Sequence, residues 1–182
     1  MTDLVVTLLG EDRPGLVEAV AAPVAEHGGN WLESRMAHLA GQFAGILRVE
    51  VPEDRAAALA DALRRLRGGG LEVTVAPSPA PAAPPTRDLL ELDLTGTDRP
   101  GIVREIARAL AEERVNIEEL VTDRTAGAMS GAPIFRARAR VYVPAGADLA
   151  RLRARLERVA TDLMVEVSLA PPQSAVGGHR PA

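Results

Sequence analysis

Residues 8–17 read Leu8-Leu9-Gly10-Glu11-Asp12-Arg13-Pro14-Gly15-Leu16-Val17, and residues 94–103 read Leu94-Thr95-Gly96-Thr97-Asp98-Arg99-Pro100-Gly101-Ile102-Val103. The two stretches lie 86 residues apart. The same offset carries Leu4, Val6 and Leu8 onto Leu90, Leu92 and Leu94, and Val20, Val24 and Asn30 onto Ile106, Leu110 and Asn116. Agreement of that extent is a duplication, and it fixes how the rest of the chain is read. Later matches slip: Pro52 aligns with Pro144, and residues 71–77 align with 165–171, so the second copy has gained residues, and loops are where insertions are absorbed.

Each copy spells one order of elements. Leu90-Glu91-Leu92-Asp93-Leu94 alternates apolar with charged, the period of a half-buried strand. After the Asp-Arg-Pro-Gly turn, Leu16, Val20 and Val24, or Ile102, Ile106 and Leu110, recur at the spacing of a helix lying on a sheet. Pro23 falls inside the first helix, where a kink is expected, and Gly28-Gly29 ends it. Hairpins are expected over residues 31–39 with 43–51, and 117–124 with 134–143. Arg136, Arg138 and Arg140, set against Ala137, Ala139 and Val141, mark the wet face of the last of these strands. A second helix carries Leu59, Leu63 and Leu66, or Leu149, Leu152, Leu156, Val159 and Leu163, and a final strand follows. The order βαββαβ, twice, predicts an α+β chain of two ferredoxin-like units, each an antiparallel sheet with helices on one face. The expected boundaries are a first domain over 1–76, a linker over 77–87, a second domain over 88–171 and a tail over 172–182. The linker rests on the tract Ala-Pro-Ser-Pro-Ala-Pro-Ala-Ala-Pro-Pro at 76–85, which cannot sustain a hydrogen-bond ladder.

Composition narrows the function. The 182 residues are 47% hydrophobic, enough for a core, and 21 basic against 25 acidic side chains leave a net charge of −4. No bulk positive field attracts nucleic acid or anionic lipid. The chain has no cysteine, which excludes disulfides, thiolate metal sites, cysteine nucleophiles and a soft-metal carrier, and suits a reducing compartment. The short apolar run at 4–9 lacks the basic start of a secretory signal and is far shorter than a membrane span, so a soluble cytoplasmic protein is expected.

Catalytic ingredients are missing. His27, His38 and His179 are scattered, so no metal site is expected, and His27 reads as a helix-end or surface residue. Ser34, Ser130 and Ser168 lie in no nucleophile elbow, and Gly68-Gly69-Gly70 precedes a strand instead of opening a helix, so it is no phosphate loop. The RNA-recognition module shares the element order but needs stacking aromatics, whereas this chain holds one Trp, one Tyr and two Phe. Phe43 and Phe135 read as core residues, and the arginine row as a solvated or carboxylate-paired face. Neither a cofactor nor an enzymatic activity is expected.

The repeated turn is the candidate site. Proline near a helix start presets the backbone angle, and glycine permits close approach. The amides that follow, at Leu16 and Val17 or Ile102 and Val103, would then sit at the positive end of the helix dipole and suit a carboxylate. Asp12 and Asp98 can cap those amides themselves or reach outward to an ammonium group. Asn30 and Asn116 offer a donor and an acceptor, although asparagine also ends helices for purely structural reasons. A capped structural turn accounts for the motif as well as a ligand loop does, and duplication alone does not separate them.

The two stretches, each followed by an apolar helix and an asparagine, resemble the opening of an ACT domain, a small regulatory module that binds amino acids. The likeness covers both halves. Similar openings occur in ACT modules fused to formyltetrahydrofolate deformylases and nucleotidyltransferases, but a chain of two such domains alone is similar to the glycine cleavage system transcriptional repressor family. That resemblance implies a non-catalytic cytoplasmic regulator that binds glycine or a similar small amino acid and acts through a protein partner such as a transcription factor, without touching DNA itself. It implies a homodimer, with effector held where the first strand-helix loop of one copy meets a neighbouring copy. Carried over by position, it implicates Asp12, Pro14, Gly15, Leu16 and Asn30, and Asp98, Pro100, Gly101, Ile102 and Asn116. A generic amino-acid sensor that regulates a metabolic enzyme in trans, or an interaction module with no ligand, is the alternative. The lengthened hairpin at 127–133 departs from the family pattern.

Overall fold

The computed structural model describes residues 1–78, 87–127 and 132–172. The core of the expected linker and the tail beyond Pro172 lie outside these residues. The chain divides into two units, Met1–Ala82 and Ala83–Ala182. The first runs β1 (Thr2–Glu11), α1 (Leu16–Glu26), β2 (Asn30–Leu39), β3 (Gln42–Val51), α2 (Ala56–Arg65) and β4 (Leu71–Pro77), with short 3-10 turns on either side of α2. The second runs β5 (Arg87–Thr97), α3 (Ile102–Glu112), β6 (Asn116–Ala126), β7 (Pro133–Pro144), α4 (Leu149–Leu163) and β8 (Val165–Ala170). Strand orders are β2-β3-β1-β4 and β6-β7-β5-β8, antiparallel throughout. Each unit is the expected ferredoxin-like βαββαβ fold.

The periodicities explain the layers. Along β1, Leu4, Val6 and Leu8 are buried while Thr7 and Leu9 face outward. They share one core with Leu16, Val20 and Val24 of α1 and Leu59 and Leu63 of α2. Leu90, Leu92 and Leu94, Ile102, Ile106 and Leu110, and Leu152 and Leu156 repeat the arrangement in the second unit. Strands claim both ends of the expected linker: Pro77 pairs with Leu4, and Arg87 pairs with Pro144. Pro77 is tolerated because β4 is an edge strand, where a missing amide donor costs no ladder bond.

Helix ends repeat even where the residues do not. The helix α1 continues through Pro23 to Glu26, and His27 closes it, its Nδ1 lying 2.7 Å from the Pro23 carbonyl. Gly28 (φ 68°) then donates to Ala25, and Gly29 to Val24, the paired bonds of a Schellman cap. In the second unit Arg114 (φ 58°) takes the glycine's place, donating to Ala111 while Val115 donates to Leu110. The β2–β3 hairpin turns through Ala40 (φ 51°) and Gly41 (φ 78°), both left-handed as a two-residue connection requires.

Candidate functional site

Most of the repeated motif serves the fold. A Cβ on Gly10 would stand 2.7 Å from the Gly70 carbonyl oxygen, and one on Gly96 would stand 2.6 Å from Val165 Cγ1 and 2.8 Å from its Cα. These glycines exist because β4 or β8 crosses directly against them. Gly15 (φ 91°) and Gly101 (φ 98°) are needed for a different reason: each is the N-cap residue in a left-handed conformation, while a Cβ there would meet nothing within 4 Å. Leu16 and Ile102 point into the core, 5% and 3% exposed. As candidate ligand residues they therefore retain only their backbone amides. Pro14 and Pro100 are exposed.

Neither helix start is capped by a side chain. The contrast is α4, whose Asp148 carboxylate accepts from the Arg151 amide at 3.0 Å. Asp12 and Asp98 thus do not close the helix starts they precede, and the self-capping role open to them in the sequence is absent. The donors at the beginning of α1 and α3 remain at the positive end of their helices.

Both carboxylates face a base on the neighbouring hairpin instead. Asp98 Oδ2 accepts from Arg124 Nε at 2.6 Å, and Asp12 Oδ2 lies 3.7 Å from His38 Nε2. The Asp98 amide donates to the Pro133 carbonyl at 2.8 Å, and the Asp12 amide to Gly41 at 2.9 Å. Arg13 adds a bond to the Gly69 carbonyl. His38 and Arg124 sit opposite Phe43 and Phe135 in their sheets. Neither was picked out as a site residue from the sequence, although they stand at the 86-residue offset, and two bases at equivalent positions were the available signal.

Asn30 and Asn116 are at the other end of the module. Asp12 follows Glu11, which pairs with Gln42, whereas Asn30 pairs with Glu50, eight residues further along β3 and about 27 Å away at strand rise. Asp98 and Asn116 are separated in the same way, since Thr97 pairs with Ile134 and Asn116 with Tyr142. The helix between the two groups is 11 residues long, roughly 16 Å. One domain cannot present both groups to one small molecule. Asn30 and Asn116 are exposed strand starts, not helix ends.

Two concavities of the second domain bear on other functions. An apolar cavity of about 30 Å³ beneath Val103, Ile106 and Phe135 has room for about one water, not for an amino acid. The outer sheet face holds an open cleft of about 710 Å³ lined by Arg136, Arg138 and Arg140 together with Glu91, Asp93, Glu119 and Asp123. Arg138 donates to Asp93 at 3.0 Å, a bond that raises the guanidinium pKa, and Arg140 lies 3.8 Å from Glu119. Carboxylates flank the arginine row on both sides, so it is no phosphate cradle. Among the described residues, no group of three or more His, Asp or Glu side chains could hold a metal ion, and no helix is long and apolar enough to cross a membrane.

Fold and loops together define a pair of small ferredoxin-like α+β modules, each with an uncapped helix start behind a carboxylate. Family comparison agrees: models described as ACT domain match residues 2–75 and 89–161, and the chain belongs to the ACT-domain family, one copy in each half. It is related to the glycine cleavage system transcriptional repressor of Escherichia coli (strain K12), at 26% identity over 170 residues, 91% of this chain and 88% of that protein. A crystal structure of an unknown protein from Galdieria sulphuraria superposes with a TM-score of 0.85 at 27% identity, covering 94% of this chain and 99% of that one. A second structure, provisionally assigned as a glycine cleavage system transcriptional repressor, has the same fold, with a TM-score of 0.70 at 21% identity and coverage of 95% and 98%.

Proposed function

We propose that this chain is a non-catalytic amino-acid sensor of the glycine cleavage system repressor type, acting on transcription in the cytoplasm through a protein partner. The observation that carries the reading is the repeated helix start left without a side-chain cap behind an aspartate, exposed at Asp12 and half-buried at Asp98. Its amide donors suit an α-carboxylate, and Asp12 or Asp98 suits an α-ammonium. Likeness to a regulator over 88% of that protein's length supports the transcriptional role. Because loop and asparagine lie at opposite ends of a module, a small amino acid held by both draws them from two different modules. The expected homodimer is one way to supply the second. Ligand then favours the docked arrangement, and the partner reads the shift in population.

The test is calorimetry and thermal melting of the full chain with glycine, serine and alanine. A ligand at 100 times its Kd stabilises the native state by about 2.7 kcal/mol, which raises the melting temperature by several degrees. Heat and a melting shift for one small amino acid are expected. Neither, at millimolar concentrations of all three, would overturn the reading.

A further inference from the structure

The duplication places a base opposite the loop carboxylate in both copies, but not the same base. At the position that holds His38 in the first copy, the second holds Arg124, 86 residues on. The two bases make different contacts. Arg124 Nε stands 2.6 Å from Asp98 Oδ2, a charge-assisted hydrogen bond from a side chain that never loses its proton, and the Asp98 side chain is only 28% exposed. His38 Nε2 stands 3.7 Å from Asp12 Oδ2, beyond hydrogen-bond distance, and the Asp12 side chain is 42% exposed. The imidazole carries a charge only when protonated. One loop carboxylate is thus already hydrogen-bonded within its own domain, while the other is more open and has only a longer contact, an ion pair when the imidazole is protonated.

We propose that His38 and Arg124 make the two loops unequal: the first-copy loop, through Asp12, receives the ammonium group of an amino acid, and the second-copy loop is latched by Asp98–Arg124 as a structural turn. The inference rests on the amino-acid reading of the loops given above and goes beyond it by assigning a division of labour. An ammonium approaching Asp98 must displace a hydrogen-bonded guanidinium. After allowance for the exposure of the pair, that competition weakens binding on the order of ten-fold relative to an unoccupied carboxylate. At Asp12 no bond has to be broken. The latch also strengthens the attachment of loop to hairpin that the Asp98 amide makes with the Pro133 carbonyl, whereas the corresponding Asp12–Gly41 bond stands without such help.

Two measurements on the full chain test this at one fixed pH near 7.5. In calorimetric titration with glycine and with serine, the wild type is expected to bind one equivalent per chain. His38→Arg should weaken that binding about ten-fold, and Arg124→His should add a second equivalent. Two equal sites in the wild type, or a His38→Arg protein with unchanged affinity, would overturn the division of labour. The second measurement uses no ligand: amide hydrogen exchange at Asp12 and Asp98. Arg124→Gln should speed exchange of the Asp98 amide several-fold, while His38→Gln leaves the Asp12 amide unchanged. An equal response of both loops, or none at Asp98, would remove the latch. If no amino acid binds any variant, the sensing reading falls by itself, and the exchange result still decides whether the loops differ.

Discussion

Replacing Gly101 with alanine separates what the repeated turn needs from what a ligand would need. The residue has φ 98° and ψ −7°, and a Cβ there meets nothing within 4 Å, so the substitution costs conformational strain and no clash. A non-glycine residue held in the left-handed region costs about 1–2 kcal/mol, and alanine recovers about 0.4–1 kcal/mol by restricting the unfolded chain. The net loss is about 1 kcal/mol, which lowers the melting temperature of a domain of this size by roughly 4–8 °C. Gly96→Ala is the control within the same motif. There the new methyl would press against the backbone of Val165 at 2.8 Å, and β5 and β8 must separate to admit it. Overpacking costs about 1–3 kcal/mol, and contact with backbone below 3 Å places this case at the upper end, so a drop of roughly 10–20 °C is expected. The assay is thermal unfolding of the full chain followed by circular dichroism, with amide exchange assigning the change to the second domain. Equal losses for the two variants, or none for Gly101→Ala, would refute the division of the motif into a packing glycine and a conformational one. A bulky residue at Gly101 is therefore an unclean probe of binding, because it lowers stability first.

Arg114→Gly should raise the stability of the second domain by about 1 kcal/mol, since it relieves a left-handed residue that makes the same cap as Gly28; chemical denaturation reads the shift, and a lowered midpoint would count against it. Asp148→Ala should cost about 1 kcal/mol through loss of the only side-chain N-cap found among the α-helices described, measured as a fall in melting temperature. Leu63→Ala removes a fully buried side chain between α2 and the first sheet and should cost about 2–5 kcal/mol, read as a lowered denaturation midpoint; an unchanged midpoint would contradict it. Ala40→Asn should stabilise the β2–β3 hairpin by a few tenths of a kcal/mol, because asparagine accepts φ 51° more readily than alanine; an unchanged or lower melting temperature would contradict it.

The fold was legible because both of its periods are written in apolar residues. Leu4, Val6 and Leu8 alternate as a strand must, and Leu16, Val20 and Val24 recur as a helix must, so layers followed from burial alone. The cap at Arg114 was not legible, since a Schellman motif is made by backbone bonds that any residue can complete at a cost, and only the first copy advertises it with glycine. The arginine row was legible as a wet face. Its neutralisation was not, because the acids that flank it on β5 and β6 are brought beside it only by strand register. For the candidate site the limit was similar. The motif announced a loop, but the side chains facing Asp12 and Asp98 come from a hairpin some 26 residues further on. The separation of aspartate from asparagine was present in the sequence all along: an apolar stripe of helical length between them implies opposite ends of a helix.

What the two copies keep and what they change point to different pressures. Gly10 and Gly96, Gly15 and Gly101, and Leu16 and Ile102 are the same in role, and each is demanded by packing or backbone angle. Their retention follows from folding and says nothing about ligand. Divergence is informative where folding is indifferent. His38 and Arg124 are both exposed, at 58% and 65%, and no core depends on either, yet one leaves its aspartate open and the other binds it. A second contrast lies on the outer sheet faces: both hold an arginine beside carboxylates, Arg48 near Asp3 and Glu33 and Arg140 near Glu119, but Ile46 stands exposed opposite Thr7 on the first where Arg138 pairs with Asp93 on the second. Two modules with one fold therefore present different chemistry both at the loop and on the open sheet. A symmetric pair of equivalent effector sites would need neither difference. A chain in which one module senses and the other holds its loop shut makes use of the first, and leaves two distinct surfaces from which a partner could choose.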